Sequence, residues 1–189
     1  MSTRAGSPRR ADALRNRQLA LDAATALLAE PGATLTVEAI AKQAGLGMAT
    51  VVRTFGGKDA LLDAAVSGLL EPVVRRADDL LAETTPARAL QTFLRELIAF
   101  QGAHHAISDQ LGGLELPATT ALRGDLVAVV REMIELAQRD GAVRDDLSAT
   151  TITALIGPTA LAIARSLPAS DELVDAYLTV LLEGLRLRT

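Results

Sequence analysis

The 189-residue chain has the composition of a folded globular protein, since 49% of its residues are hydrophobic and 22% are charged. Aromatic residues make up only 2%, whereas alanine occupies 35 positions and leucine 32, so the composition favours helices over strands. The absence of cysteine and the presence of only two histidines exclude disulfides and thiolate chemistry and leave little for metal binding. We therefore expect an all-α protein of about nine helices, with no cofactor and no metal.

Charge is distributed unevenly along the chain, whose net charge is -4. Residues 1–60 contain 8 basic and 5 acidic side chains, whereas residues 61–189 contain 11 and 18. This asymmetry indicates that a polyanionic partner would be bound by the amino-terminal end. The longest uncharged stretch, residues 147–164, includes four threonines, a glycine and a proline, which is typical of a buried helix and not of a membrane span. The first residues lack the apolar core of a signal peptide, so we expect a cytoplasmic protein.

Helix start and stop signals divide the chain into segments. Thr36, Ser148 and Ser170 are predicted N-caps, and Gly45 is predicted to end a helix in the left-handed conformation. Pro72 is expected to kink a long helix, and the region of Gly112-Gly113 and Pro117 is predicted to be irregular. The helices that can be bounded are Arg9 to Ala29, Val37 to Ala44, Gly47 to Phe55, Lys58 to about Leu81, Pro86 to about Ala106, Thr119 or Thr120 to Arg139, Ser148 to about Leu167, and Asp171 to Arg186.

Two short helices joined by Gly45-Leu46-Gly47 suggest a helix-turn-helix. In the second of them Val51 and Phe55 stand four residues apart and are predicted to pack inward. The outward face then has little bulk, and its single guanidinium can donate a planar pair of hydrogen bonds to guanine or to a phosphate. This pattern predicts a helix that enters the major groove, with the outward residues Met48, Ala49, Thr50, Val52 and Arg53.

Residues that flank these helices are suited to the phosphate backbone. Thr36 starts the first short helix beside free backbone N–H groups, and Lys58 starts the helix that follows the second. Arg9, Arg10 and Arg15 form a basic arm, for which a solvated tail and a DNA-binding arm are equally compatible interpretations. For the helix pair itself the alternative is a protein-binding or structural role.

The spacing of Thr36, Ile40-Ala41, Ala44-Gly45-Leu46, Thr50, Phe55, Lys58 and Leu61-Leu62 resembles the DNA-binding domain of the tetracycline-repressor (TetR) family. Residues 140–147 resemble the turn that precedes the dimerisation helices of that family. The resemblance implies a homodimeric repressor that binds a double-stranded DNA operator and is released by a small-molecule effector, with no enzymatic activity. It also implies a DNA-binding domain over residues 1–57 and a helical effector-binding and dimerisation domain over residues 58–189.

The chain departs from the family pattern at three places. Val52 replaces a tyrosine that usually contacts the DNA backbone, and Gly47 replaces a serine that usually caps the recognition helix. Gly56-Gly57 replaces a turn that usually contains proline. Because two polar contacts are missing, we expect Arg53, Thr50, Lys58 and the arm arginines to supply a larger share of the affinity.

The last two helices are apolar on nearly all sides and therefore need partners on two faces. In a chain of this size the pattern suggests a four-helix interface between two subunits, although an internal helix pair in a monomer would also satisfy it. The predicted interface residues are Ile152, Leu155, Ile163, Leu178, Leu182 and Leu185.

A candidate effector pocket combines apolar side chains with a few polar groups in the middle of the chain. Its predicted wall consists of Phe93, Phe100, His104, His105, Gln110, Met133 and Thr159, of which the phenylalanines and the methionine would serve equally well as plain core. His104, His105 and Asp109 also suggest an alternative function, a small-molecule-binding protein or enzyme that uses this group as a base or metal ligand. The sequence offers that alternative no phosphate-binding glycine loop and no cysteine.

Overall fold

The computed structural model describes residues 8–112, 114–166 and 170–186. These residues contain nine α-helices and no strand, which confirms the all-α prediction. The helices are α1 (Pro8–Ala29), α2 (Val37–Ala44), α3 (Met48–Phe55), α4 (Lys58–Glu83), α5 (Pro86–Ala103), α6 (His105–Gln110), α7 (Pro117–Arg139), α8 (Ala149–Arg165) and α9 (Asp171–Leu185). Among the described residues no helix has the length and apolar content that crossing a membrane requires.

All three predicted N-caps form. The hydroxyl oxygens of Thr36, Ser148 and Ser170 accept hydrogen bonds from the backbone N–H three residues later, at 3.1, 3.1 and 3.2 Å. Each bond satisfies one of the backbone donors that the first turn of a helix leaves free. The helix bounds that depend on these caps therefore agree with the predicted ones to within one residue.

The structure differs from the sequence prediction between α5 and α7. α5 ends at Ala103 and not near Ala106, because His104 leaves the helical conformation with φ −117° and ψ 17°. The short helix α6 follows, and it was not predicted. α7 begins at Pro117, two residues earlier than expected, since proline suits the first position of a helix. α4 contains Pro72 in its interior and continues to Glu83. The predicted end of α8 at Leu167 lies outside the described residues.

The contacts divide the chain into two units. The first unit contains the described residues up to Leu69 together with those from Ala106 to Thr120. Within it α1 packs against α2 and α3, and α2 packs against α3. The buried side chains of Leu28, Ile40, Val51 and Leu61 form part of its interior, so a small apolar core holds the two short helices in place.

Two side chains join the segment 106–120 to the rest of the first unit. Gln110 Nε2 donates hydrogen bonds to the carbonyl oxygens of Leu28 and Glu30, at 2.7 and 2.9 Å, where α1 ends. Asp63 of α4 accepts hydrogen bonds from the backbone N–H groups of Ala118 and Thr119, at 2.9 and 2.8 Å. The carboxylate thus acts as the N-cap of α7, supplied from another helix.

The second unit contains Leu70–His105 and the described residues from Ala121 onward. Its core is formed where α5 packs against α8 and α9 and where α8 packs against α9. Phe93, Leu94, Met133, Ile134 and Ile156 are fully buried there. This unit therefore has an interior of its own, which is larger than that of the first unit.

Candidate nucleic-acid interface

The turn between α2 and α3 is closed by backbone hydrogen bonds. The N–H of Gly45 donates to the carbonyl of Lys42 at 3.2 Å, and the N–H of Leu46 donates to that of Ala41 at 2.9 Å. Gly45 has a φ of 66°, a left-handed conformation that glycine adopts without the steric cost of a Cβ. The turn therefore ends α2 and fixes where α3 begins.

One face of α3 packs inward against α2. Val51 is buried, as are Ile40 and Ala41 of α2. Phe55 is half-buried at the end of α3, and the guanidinium of Arg17 in α1 lies over its ring, 4.7 Å from the ring centre. This cation–π contact links α1 to the end of α3.

The opposite face of α3 is open. Met48 is 56% exposed and Val52 is 43% exposed, Ala49 and Arg53 are exposed as well, and Thr50 is half-buried. Arg53 has no ion-pair or hydrogen-bond partner in the part of the chain that the structure describes. Its five N–H donors are therefore available to an external acceptor.

The flanking residues are also accessible. The hydroxyl of Thr36 accepts the capping hydrogen bond of α2, which leaves its own hydrogen free to be donated. Lys58 is the first residue of α4, with its Nζ 3.8 Å from the carboxylate of Asp59. Arg9 and Arg10 lie exposed in the first turns of α1, and Arg15 forms an exposed ion pair with Asp12, a contact that contributes little stability.

Arg17 and Asp63 are two relevant residues that the sequence analysis missed. Arg17 belongs to the same helix as the predicted arm arginines, but it contacts Phe55. Asp63 binds the start of α7. Neither role has a local signal in the sequence, because each partner is far away along the chain.

The predicted effector residues are distributed over different surroundings. Phe93 and Met133 are fully buried in the core of the second unit, which agrees with their alternative interpretation as plain core. Gln110 belongs to the first unit. Thr159 lies on α8, where its hydroxyl is 2.9 Å from the hydroxyl of Tyr177 in α9. Burial raises the pKa of Tyr177, and this hydrogen bond partly offsets the increase.

Both histidines bind backbone carbonyls beside them. His104 Nδ1 lies 2.8 Å from the carbonyl oxygen of Phe100, and His105 Nδ1 lies 2.9 Å from that of Gly102. Because a carbonyl only accepts, Nδ1 is the donor in each of these hydrogen bonds, and Nε2 of each ring takes no part in them. The His104 ring also packs on that of Phe100, with the ring centres 4.4 Å apart.

Metal binding by the histidine group has no support from the geometry. Among the described residues no group of three or more histidine, cysteine, aspartate or glutamate side chains is placed to hold a metal ion. Asp109 has an interaction partner of its own. Within the described part of the chain, His104, His105 and Asp109 therefore do not form a three-ligand metal site.

One polar group in this region was not predicted. The side-chain oxygen Oε1 of Gln101 in α5 is buried and has no hydrogen-bond partner among the described residues. A buried amide oxygen of this kind is costly unless a donor reaches it. Gln101 is therefore a better polar candidate for effector contact than Gln110, whose amide already donates to two carbonyls.

An open cleft of about 600 Å³ lies within the second unit, between the start of α5, the turn after α7 and the end of α9. None of the predicted effector residues lines it. The lining residues are Thr85, Ala87, Arg88, Leu90, Gln91, Ala142, Val143, Thr179, Leu182, Glu183, Leu185 and Arg186.

The predicted interface residues fall into two groups. Ile152, Leu178 and Leu185 are buried in the core of their own chain, which leaves little of their surface for a second subunit. Ile163 and Leu182 are partly buried against that core, and Leu155 is 59% exposed. Three further large apolar residues of α8 and α9 are exposed: Leu161, Leu173 and Val180.

Two family profiles match the chain. Residues 20–65 match the profile described as bacterial regulatory proteins of the tetR family. Residues 85–187 match the C-terminal domain of SbtR-like transcriptional regulators. No curated protein sequence matches the chain.

Solved structures resemble the chain over most of its length. A TetR transcription regulatory protein from Mycobacterium vanbaalenii is 32% identical, with a TM-score of 0.67, over 95% of this chain and 100% of that one. The regulator SCO0520 from Streptomyces coelicolor is 28% identical, with a TM-score of 0.66, over 92% and 99%. FadR from Bacillus subtilis in complex with stearoyl-CoA is 21% identical, with a TM-score of 0.72, over 88% and 95%; this last likeness concerns the fold.

Proposed function

The chain belongs to the TetR family of transcriptional regulators, and from that membership we propose that it is a homodimeric, cytoplasmic repressor released from its operator by a small molecule. Residues 1–57 bind DNA, and residues 58–189 bind the effector and the second subunit. Two copies of α3 enter successive major grooves of a two-fold operator. The proposal assigns the protein no catalytic step.

The observation that carries the proposal is the open face of α3. Its one guanidinium has no partner among the described residues, and small or apolar side chains surround it, so the helix backbone can approach another surface closely. Such a face suits base edges in a major groove. Thr36 and Lys58, at the starts of α2 and α4, flank it with donors for phosphates.

The test is a mobility-shift assay on the DNA upstream of the protein's own gene. Arg53→Ala is expected to abolish the specific shift, because losing one bidentate base contact costs about 1–3 kcal/mol in each half-site. Arg123→Ala, at an exposed arginine of α7, is the matched control and should bind like the parent protein. The affinity should also fall as the salt concentration rises. For each phosphate contact, a tenfold increase in salt concentration should lower the logarithm of the binding constant by about 0.9. An Arg53→Ala protein that shifts the same DNA equally well would contradict the proposed role of α3.

Release by an effector requires a state with lower affinity for DNA that the small molecule prefers. The FadR structure contains stearoyl-CoA, which shows that a protein of this fold can hold a small molecule. We place the effector in the second unit, against Phe100, His104 and the unpaired oxygen of Gln101. The segment 106–120 follows α5 in the chain and belongs to the first unit, where Gln110 binds the end of α1 and Asp63 of α4 binds Thr119. This segment is the proposed route to the DNA-binding helices.

The second subunit binds to the exposed apolar side chains of α8 and α9. Leu155, Leu161, Leu173 and Val180 are large and exposed, whereas water-exposed helix surfaces are normally polar. Residues 147–164 carry no charge at all, and a low density of charge is what the core of a homodimer interface requires. Leu155 was already predicted from the sequence, and we propose Leu161, Leu173 and Val180 in place of the buried Ile152, Leu178 and Leu185.

A further inference from the structure

The exposed face of α3 carries almost no hydrogen-bonding groups. Met48 and Val52 stand four residues apart and form one apolar stripe, and Ala49 stands four residues before Arg53 on the adjacent stripe. Met48 and Val52 are the two large apolar side chains that α3 leaves exposed. Apart from Arg53 and the two threonine hydroxyls, the exposed side chains of α3 can make only van der Waals contacts.

The two threonines of α3 add few free hydrogen-bond donors to its exposed face. The hydroxyl of Thr54 donates to the carbonyl of Thr50 at 2.8 Å, so its only hydrogen is already used. Thr50 is half-buried. Arg53 is therefore the only group of α3 with several free donors, and α3 has no carboxylate or amide side chain with which to recognise cytosine or adenine.

In the major groove one base offers an apolar feature to such a surface. Thymine presents its C5-methyl group beside the O4 acceptor, whereas guanine, adenine and cytosine have no methyl group and present hydrogen-bonding atoms there. An apolar side chain placed against those atoms would remove water without replacing its hydrogen bonds, which disfavours these bases. The same face thus selects thymine and rejects its competitors.

We propose that α3 reads the operator half-site through thymine methyl groups at Met48, Ala49 and Val52, and through a single guanine at Arg53. This inference rests on the proposed function, since it specifies which bases the major-groove helix recognises. It predicts thymine-rich half-sites in which most of the sequence information lies in methyl groups. Hydrogen bonds from Arg53 then supply specificity at one base pair, and the other hydrogen bonds to DNA hold the protein to the phosphate backbone.

The experiment uses the full-length protein and a bound duplex, taken from the DNA upstream of its own gene or from selection out of a random pool. Each thymine of one half-site is replaced singly by deoxyuridine, which removes the methyl group and keeps the base pairing. We expect about a fourfold loss of affinity for each contacted methyl. Replacing the contacted guanine by 7-deazaguanine should lower the affinity at least as much, because it removes the N7 acceptor.

Protein variants assign each methyl to a side chain. Val52→Ala should remove the preference for thymine over uracil at one position and leave it at the others, and Met48→Ala should do so at a neighbouring position. Val127→Ala on α7, at a valine that is also exposed, is the matched control and should keep every preference. Coupling between one protein change and one base change is measured as a double-mutant cycle.

The outcomes separate this inference from the proposed function. If the protein binds a specific duplex and uniform replacement by deoxyuridine leaves the affinity unchanged, the methyl readout is wrong while the regulator function stands. If deoxyuridine weakens binding equally in the parent protein, Val52→Ala and Met48→Ala, the assignment to α3 is wrong. If no duplex is bound specifically, the proposed function fails and this inference fails with it.

Discussion

Asp63 provides a sharp test of how the first unit is held together. Its side chain is 7% exposed and accepts three hydrogen bonds. Oδ2 binds the N–H of Ala118, while Oδ1 binds both the N–H and the hydroxyl of Thr119. The residue that precedes α7 is Leu116, whose side chain has no acceptor, so the N-terminus of α7 depends on the carboxylate of Asp63.

The change Asp63→Asn keeps the shape and removes the charge. The amide oxygen can replace Oδ1, but the amide nitrogen then faces the N–H of Ala118, and two donors cannot bond. One charge-assisted hydrogen bond is lost, and both the N–H of Ala118 and the new amide N–H are left without an acceptor, so we expect a loss of about 2 kcal/mol in the free energy of unfolding. Asp63→Ala removes all three bonds and is expected to cost about 3–5 kcal/mol.

The pH dependence has a definite sign. Burial alone would raise the pKa of Asp63, but the three hydrogen bonds from Thr119 and Ala118 together hold this pKa below the ordinary 3.8. A depressed pKa in the folded state contributes stability that is complete above the unfolded pKa and is lost as the pH falls through the folded one. The parent protein should therefore lose more stability below about pH 4 than Asp63→Asn does.

The assay is urea unfolding followed by circular dichroism at pH 7 and between pH 4 and 3. The chain concentration is fixed, because the proposed dimer would make the stability depend on it. Asp78→Asn, at an exposed residue of the same helix, is the control and should change the unfolding free energy by less than about 0.5 kcal/mol. If Asp63→Asn unfolds like the control at pH 7, the capping role assigned to this carboxylate is refuted.

Two further variants test the turn and the interface. Gly45→Ala should lower the free energy of unfolding by about 1–2 kcal/mol, because the residue has a φ of 66°, which disfavours any residue with a Cβ. Steric clash with surrounding residues contributes nothing to this loss, since a methyl group at Gly45 would meet no other atom within 4 Å. Gly68→Ala lies in the interior of α4, with equally open surroundings, and should instead raise the free energy of unfolding by about 0.5–1 kcal/mol. Thermal melts in which the two variants change the melting temperature in the same direction would contradict this reasoning. Val180→Glu, at a valine that is 73% exposed, should convert a dimer into monomers in light scattering, whereas Val127→Glu should not; a dimer that survives Val180→Glu would place the interface elsewhere.

The parts of the fold that the sequence predicted are those set by neighbours along the chain. The caps Thr36, Ser148 and Ser170 each act on a backbone N–H three residues later, so their spacing was sufficient. The contacts of Asp63 and Gln110 join residues 55 and 82 positions apart. The periodic spacing of apolar residues along the sequence gives no information about pairs so far apart. The segment between α5 and α7, which such pairs hold in place, was for that reason the part predicted least well.

The proposed dimer surface shows a second limit of prediction from sequence patterns. A helix that is apolar on nearly every side must bury more than one face, and the sequence marked α8 and α9 as such helices. It could not assign each apolar position to the chain's own core or to a second subunit, because both surroundings select the same side chains. The structure separates buried from exposed positions: Leu178 packs inside the chain, whereas Leu155 and Val180 are exposed, and the proposed interface uses the exposed ones.

The features that make α3 a poor contributor to stability are the ones that suit it to another molecule. It has two turns, an N-cap at Gly47 without a capping side chain, two large apolar side chains in water and an arginine without a partner among the described residues. Its N-cap and exposed side chains therefore contribute little to the folded state, whose packing in this region depends on Val51 and on the half-buried Phe55. Residues that are unfavourable for the stability of the free protein are expected at sites that have been selected for binding. The cost of α3 in the free protein is consequently an argument for its proposed use in the groove of DNA, where the same side chains would become buried and the guanidinium would be paired.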